Sequence, residues 1–156
     1  MAGADIRDCF YAVSLPAGLE QFFVLRGDLT KEEAMWVTRG QRHFDSMQSR
    51  FCPAIVVLPM GFSWSFYLVQ HIHESAVLRA LDIDRGSLIL EGHPIPKLND
   101  DSILSLPYCD NIHVLSTDKD QCNKGCEKVC SELRQLGFEL HEEEEANLFF
   151  NTLGGT

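Results

Sequence analysis

Two short acidic stretches carry the residue types from which a metal-dependent reaction could be built: ADIRDCFYAVSLP at positions 4–16 and YCDN at positions 108–111. In the first, Asp5 and Asp8 stand just ahead of an apolar run. In the second, Asp110 and Asn111 sit between the apolar runs Ile103–Leu106 and Ile112–Leu115. An Asp-Asn step between such runs predicts a two-residue hairpin turn, because both residues tolerate left-handed backbone. Read alone, that stretch is an ordinary surface turn, and Asp5 alone is a solvated terminal residue. If the strand following Asp5 pairs beside the hairpin, however, Asp5 and Asp110 reach one edge of a sheet. Carboxylates held that close repel unless a proton or a cation intervenes. Oxygen ligands of this kind suit Mg²⁺, which keeps waters and recruits substrate phosphates. Two such ions can activate an attacking hydroxyl and hold a departing pyrophosphate, the device of nucleotidyl transfer.

The elements that must position these groups follow from patterning. CFYAVSLP (9–16), QFFVLRG (21–27), CPAIVVLPMG (52–61) and SLILEG (87–92) are rich in β-favouring residues bounded by Pro or Gly, which predicts strands. Residues 30–47 open with a Thr30/Glu33 capping box and carry Ala34, Val37, Phe44 and Met47 at helical spacing, predicting a helix interrupted by Gly40. Residues 63–81 predict a second helix with Trp64, Leu68, Ile72, Ala76 and Leu78 on its apolar face. His71 and His73 read there as surface residues, too divergent on a helix to share one metal. Residues 117–140 give the clearest helix, with Cys122, Cys126, Val129, Cys130, Leu133 and Leu136 on one stripe. Its cysteines read as small core residues, and Leu136-Gly137-Phe138 as a Schellman stop. FELHEEEEA then predicts a short strand running into an acidic cluster, with a loose tail. Strand, helix, hairpin, helix and strand around one antiparallel sheet make an α+β domain.

Composition bounds the function. A chain of 156 residues with 45% apolar content is expected to form one packed domain rather than a disordered segment. No apolar run approaches the ~18 residues that span a bilayer, so no membrane partner is expected. MAGADIRDCF lacks the pattern of an export signal, so an intracellular location, cytoplasmic or nuclear, and six reduced cysteines are expected. The balance of 13 Lys plus Arg against 23 Asp plus Glu, net −10, disfavours a domain that grips a phosphate backbone unaided.

The order of motifs adds what no single one carries. DIRDCFYAVSLP, LPMGFSWSFYLVQ, YCDNIHVLS and LRQLGFELH, in that order over roughly residues 4–142, resemble the palm of retroelement reverse transcriptases. The first resembles the family's Asp-x-x-Asp-Ala-Phe/Tyr, the second its Leu-Pro-Gln-Gly before a helix, the third its Tyr-x-Asp-Asp. The resemblance implies a ferredoxin-like polymerase palm at 1–142, an antiparallel sheet with two or three helices on one face. Residues 28–51 would be a partly helical insertion and 143–156 an acidic, loose tail. It further implies RNA-directed DNA polymerase chemistry with two Mg²⁺ (or Mn²⁺) ions ligated by Asp5 and Asp110, the Ile6 carbonyl assisting. The Arg7–Asp8 backbone would lie along the incoming triphosphate, and Phe10 would crowd a ribose 2′-hydroxyl. Met60-Gly61 would lie beneath the base pair and Tyr108 near the primer end, with Asn111 a substrate-binding residue beside the metals.

Three positions depart from the family pattern. Asn111 replaces the second aspartate, Met60 replaces a glutamine, and HEEEEA puts glutamates where the family has a lysine beside pyrophosphate. Basic fingers and a thumb are not expected within this chain. Template–primer and deoxynucleotide binding are therefore expected only once such parts complete it, with little or no activity from the chain alone. The alternatives are a degenerate, non-catalytic remnant serving as an acidic protein-interaction module, and an unrelated α+β protein in which Asp5 and Asp110 lie far apart.

Overall fold

The computed structural model describes residues 1–40 and 48–148. In chain order the elements are β1 (Ala2–Ile6), β2 (Leu29–Thr30), α1 (Lys31–Val37), β3 (Arg50–Phe51), α2 (Ser63–Leu81), β4 (Leu104–Ser105), β5 (Asn111–Leu115), α3 (Lys119–Gln135) and β6 (Leu140–Glu144). Four strands form one antiparallel sheet in the order β4-β5-β1-β6, and β2 and β3 pair separately. With α2 between β1 and β4, and α3 between β5 and β6, this is the βαββαβ topology of the ferredoxin-like fold. The expected α+β class is the observed one.

Alternation along the strands sets the two faces of the sheet. Ala2, Ala4 and Ile6 of β1 join Ile112 and Val114 of β5 in the core, together with Val69, Ala76 and Val77 of α2 and Val129 and Leu133 of α3. Gly3 and Asp5 therefore lie on the opposite face. Helix α3 comes close to the sheet at Gly125, where an added Cβ would stand 2.5 Å from Ile103 Cδ1 and 3.1 Å from Val114 Cγ1. Asp118 caps this helix through Gln121 N–H. At its other end Gly137 takes φ 94°, and Phe138 N–H donates to the Leu133 carbonyl, the expected Schellman stop. Cys122, Cys126, Val129, Cys130 and Leu133 are buried as expected, whereas Leu136 is exposed.

Several expected elements differ. The first strand is Ala2–Ile6, ahead of the expected 9–16, where Asp8 (φ 49°) starts a turn in which Tyr11 and Ala12 donate to its carbonyl. AGADI has little β propensity, but its small residues fit under α3, and tertiary packing overrides propensity. Segments 21–27, 52–61 and 87–92 are not strands. They run as linking chain with single bridges, Val24 to Ala54, Ser14 to Val57 and Leu88 to Ser105. Pro53 and Pro59 lack the N–H that a ladder needs, and Gly92 and Pro94 stop the last. The capping box at Thr30 forms, and α1 ends at Val37; Phe44 and Met47 lie outside the described residues. Residues Glu143 and Glu144, placed in the tail, belong to β6, while 149–156 lie outside the described residues.

Helix α2 has the expected ends but a different buried side: Ser65, Val69, His73, Ala76 and Val77 face inward, while Trp64 is 58% exposed and Leu68 is partly exposed. Apolar residues ring this helix, so periodicity cannot choose a side. The side chosen is the one whose polar groups find partners: Ser65 Oγ donates to the Pro59 carbonyl at 2.8 Å, and His73 reaches the Cys109 carbonyl at 3.0 Å. His73 is thus buried, not a surface residue.

Replacing Gly125 with Val should cost about 1–3 kcal/mol of stability, because Val114 is itself buried and branched and cannot withdraw. Urea unfolding measures this. Adding Ile103→Ala should recover part of the loss if the contact with Ile103 is its source.

Candidate metal centre

The β4–β5 hairpin turns at Cys109-Asp110, one residue earlier than expected. Tyr108 and Asn111 exchange backbone hydrogen bonds of 3.1 and 2.8 Å, leaving Cys109 and Asp110 as the loop. Cys109 occupies the first loop position with φ 53°, where a mirror-image turn needs left-handed backbone. Helix α2 holds it there. Gln70 accepts the Cys109 N–H at 2.8 Å through Oε1 and donates from Nε2 to the Pro107 carbonyl at 2.8 Å. His73 donates from Nδ1 to the Cys109 carbonyl, while its buried Nε2 has no hydrogen-bond partner among the described residues. Burial pushes the His73 imidazole down to about 4, outweighing that hydrogen bond, so the ring is neutral.

Strand β1 brings Asp5 to this turn. Asp5 lies opposite Asn111 on one side and His141 on the other, and Ile6 N–H donates to the Asp110 carbonyl at 2.8 Å. Burial raises the Asp5 carboxyl, the negative charge of Asp110 raises it further, and His141 pulls the other way. Asp5 near the end of β1 and Asp110 in the β4–β5 turn are therefore within electrostatic reach of each other. Asn111 donates from Nδ2 to Asp110 Oδ1 at 2.9 Å, so the residue standing where a second acid was expected orients the first.

Strand β6 adds two groups that sequence reasoning missed. Its register against β1 runs Gly3 to Glu144 and Asp5 to His141, so three steps on β6 face two on β1. This bulge, with Glu142 at φ 51°, lets consecutive side chains converge where regular pleating would send them to opposite faces. Asp5, His141 and Glu142 each offer a ligand atom within 4.8 Å of the others. His141 Nδ1 is buried without a hydrogen-bond partner among the described residues, an atom that a cation could satisfy. These three residues can hold a metal. The set shares Asp5 with the expected one, but brings an imidazole and Glu142 where Asp110 and the Ile6 carbonyl were expected.

The remaining expected residues surround this centre unevenly. Arg7 is exposed and donates to Glu139 Oε1 at 2.9 Å. Asp8 forms the turn after β1, and Phe10 packs partly against the core. Tyr108 stands edge-on to Phe66 with ring centroids 5.6 Å apart. Met60 is exposed in the turn before α2, where Gly61 adopts φ 89°. Gln70, which positions the turn, also escaped the sequence reading, and His73, expected on the surface, shares that role; their signal is polarity inside an apolar helix.

Acidification should destabilise the protein through His73. Between its unfolded value near 6.5 and about 4, the unfolded chain takes up a proton that the folded chain refuses. Stability should therefore fall as pH drops through this window, by at most about 3 kcal/mol. His113, also held down by burial, adds to the loss, and Asp5 opposes it. His73→Gln keeps a donor for the Cys109 carbonyl without titrating and should flatten the dependence in urea melts at stepped pH. No protein-family model matches this chain, and no curated protein matches it.

Proposed function

We propose that this chain is a palm of the reverse-transcriptase type, presenting Asp5 and Asp110 to divalent metal for RNA-directed DNA synthesis. The observation that supports the reading most is the β1–β5 register, which sets Asp5 beside the Asp110 turn. The ferredoxin-like topology and the order of the four sequence motifs agree with it. Asp5 and Asp110 would hold the metal, with His141 and Glu142 completing the coordination. Bound Mg²⁺ or Mn²⁺ supplies Lewis-acid activation of a primer hydroxyl and neutralises the pyrophosphate. The imidazole favours Mn²⁺ over Mg²⁺, which prefers oxygen. Asn111 steers the Asp110 carboxylate. Template–primer and deoxynucleotide would be gripped by basic segments supplied from outside these residues, since the chain carries net −10.

Calorimetric titration with MnCl₂ tests the metal half of the proposal. Asp5→Asn should weaken binding at least tenfold, roughly the effect of losing one anionic ligand. It should also raise unfolding stability by roughly 0.5 kcal/mol, the scale of a partly solvated like-charge contact. Unchanged affinity in both Asp5→Asn and Asp110→Asn would reject the site. Primer extension on an RNA template, with a basic fingers segment added in trans, tests the catalytic half.

A second reading is a non-catalytic remnant of the same fold that serves as an acidic interaction module. It is favoured by Asn111, whose amide is committed to Asp110, and by the glutamates at 142–145. Asn111→Asp separates the two. Under the first reading it tightens Mn²⁺ binding by roughly tenfold by adding a carboxylate opposite Asp5. Under the second it adds only repulsion, seen as a lower melting temperature without tighter binding.

A further inference from the structure

Cys9 and Cys109 stand on the two turns that flank the carboxylates. Cys9 follows Asp8 in the turn after β1, and Cys109 precedes Asp110 in the hairpin loop. Their Sγ atoms are 3.8 Å apart although the residues are 100 positions apart in sequence. Both are nearly enclosed, with exposures of 3% and 7%. A disulfide has its sulfurs about 2.05 Å apart, so each atom needs to move only about 1 Å. The other close thiols, Cys126 and Cys130, lie one turn apart on α3, and a bond between them would tie that helix only to itself. A bond between Cys9 and Cys109 would tie one side of the metal centre to the other.

We propose that Cys9 and Cys109 form a reversible disulfide that clamps the Asp110 turn to the Asp8 turn. The oxidant is a peroxide, small enough to reach a nearly closed site. The Cys109 thiolate attacks one peroxide oxygen, the O–O bond breaks, and a sulfenic acid forms as hydroxide leaves and takes up a proton to become water. The Cys9 sulfur then attacks the sulfenic sulfur; the S–S bond forms, the S–O bond breaks, and hydroxide leaves with the Cys9 proton as a second water. The two thiols lose two electrons, and the peroxide gains them. A dithiol reductant reverses the bond by exchange. With the sulfurs 3.8 Å apart, the same steps balance with the two roles exchanged. Bond formation does not depend on the polymerase reading.

The full chain is treated with hydrogen peroxide, denatured, alkylated with iodoacetamide and digested with trypsin without reduction. Mass spectrometry should find peptides 8–26 and 98–119 joined, with Cys52 alkylated. The melting temperature should rise by roughly 5–10 °C, as expected for closing a long loop, and return with dithiothreitol. Cys109→Ser should lose both signals. Should that variant fail to fold, Cys9→Ala makes the same comparison and the wild-type peptide map decides. Alkylation of both Cys9 and Cys109 after peroxide, or pairing of either with another cysteine, overturns the proposal. A mapped bond with no change in melting temperature overturns the clamp. Loss of Mn²⁺ binding in the reduced wild-type protein would instead count against the polymerase reading and leave the disulfide standing.

Discussion

The grip of α2 on the hairpin turn is the constraint from which the centre follows. Gln70 and His73 satisfy the Pro107 carbonyl and both backbone groups of Cys109 from a helix that is itself anchored in the core. A left-handed cysteine is costly for a turn to keep, and these bonds over-determine it. With the turn set, Ile6 N–H meets the Asp110 carbonyl and Asp5 is drawn against a like charge. The protein thus holds the Asp5 carboxylate where burial and repulsion both disfavour its charge. A cation placed against Asp5 would relieve both.

Helix α3 plays the complementary part. Gly125 lets it settle closely on the sheet, and its Schellman stop delivers the chain into β6 at a defined angle. The bulge in β6 then gathers His141 and Glu142 around Asp5. Helix α2 therefore fixes the hairpin turn, and α3, packed against β1 and β5, leads the chain into β6.

Much of this was legible in the residues. The α3 stripe, its glycine stop, the hairpin and the α+β class all rest on strong local signals that agree with the tertiary structure. AGADI was not legible as a strand, because Ala and Gly carry no β signal and are selected for close packing. Nor could the inward face of α2 be read, since its apolar residues surround the helix and the decision falls to hydrogen bonds of Ser65 and His73. The hairpin register slipped by one because Asp and Asn are better turn formers than Cys, while the α2 contacts hold Cys109 in the loop. His141 and Glu142 were hidden for a different reason: neighbours in a strand normally point apart, and only a bulge brings them together.

That bulge bears on how the chain tolerates change in length. Four consecutive glutamates follow His141, so slippage of β6 by a residue replaces one carboxylate with a chemically identical one. The acidic half of the cluster is buffered against small insertions and deletions by repetition. The imidazole has no such understudy, which makes the spacing between Gly137 and His141 the stretch where a length change would be felt.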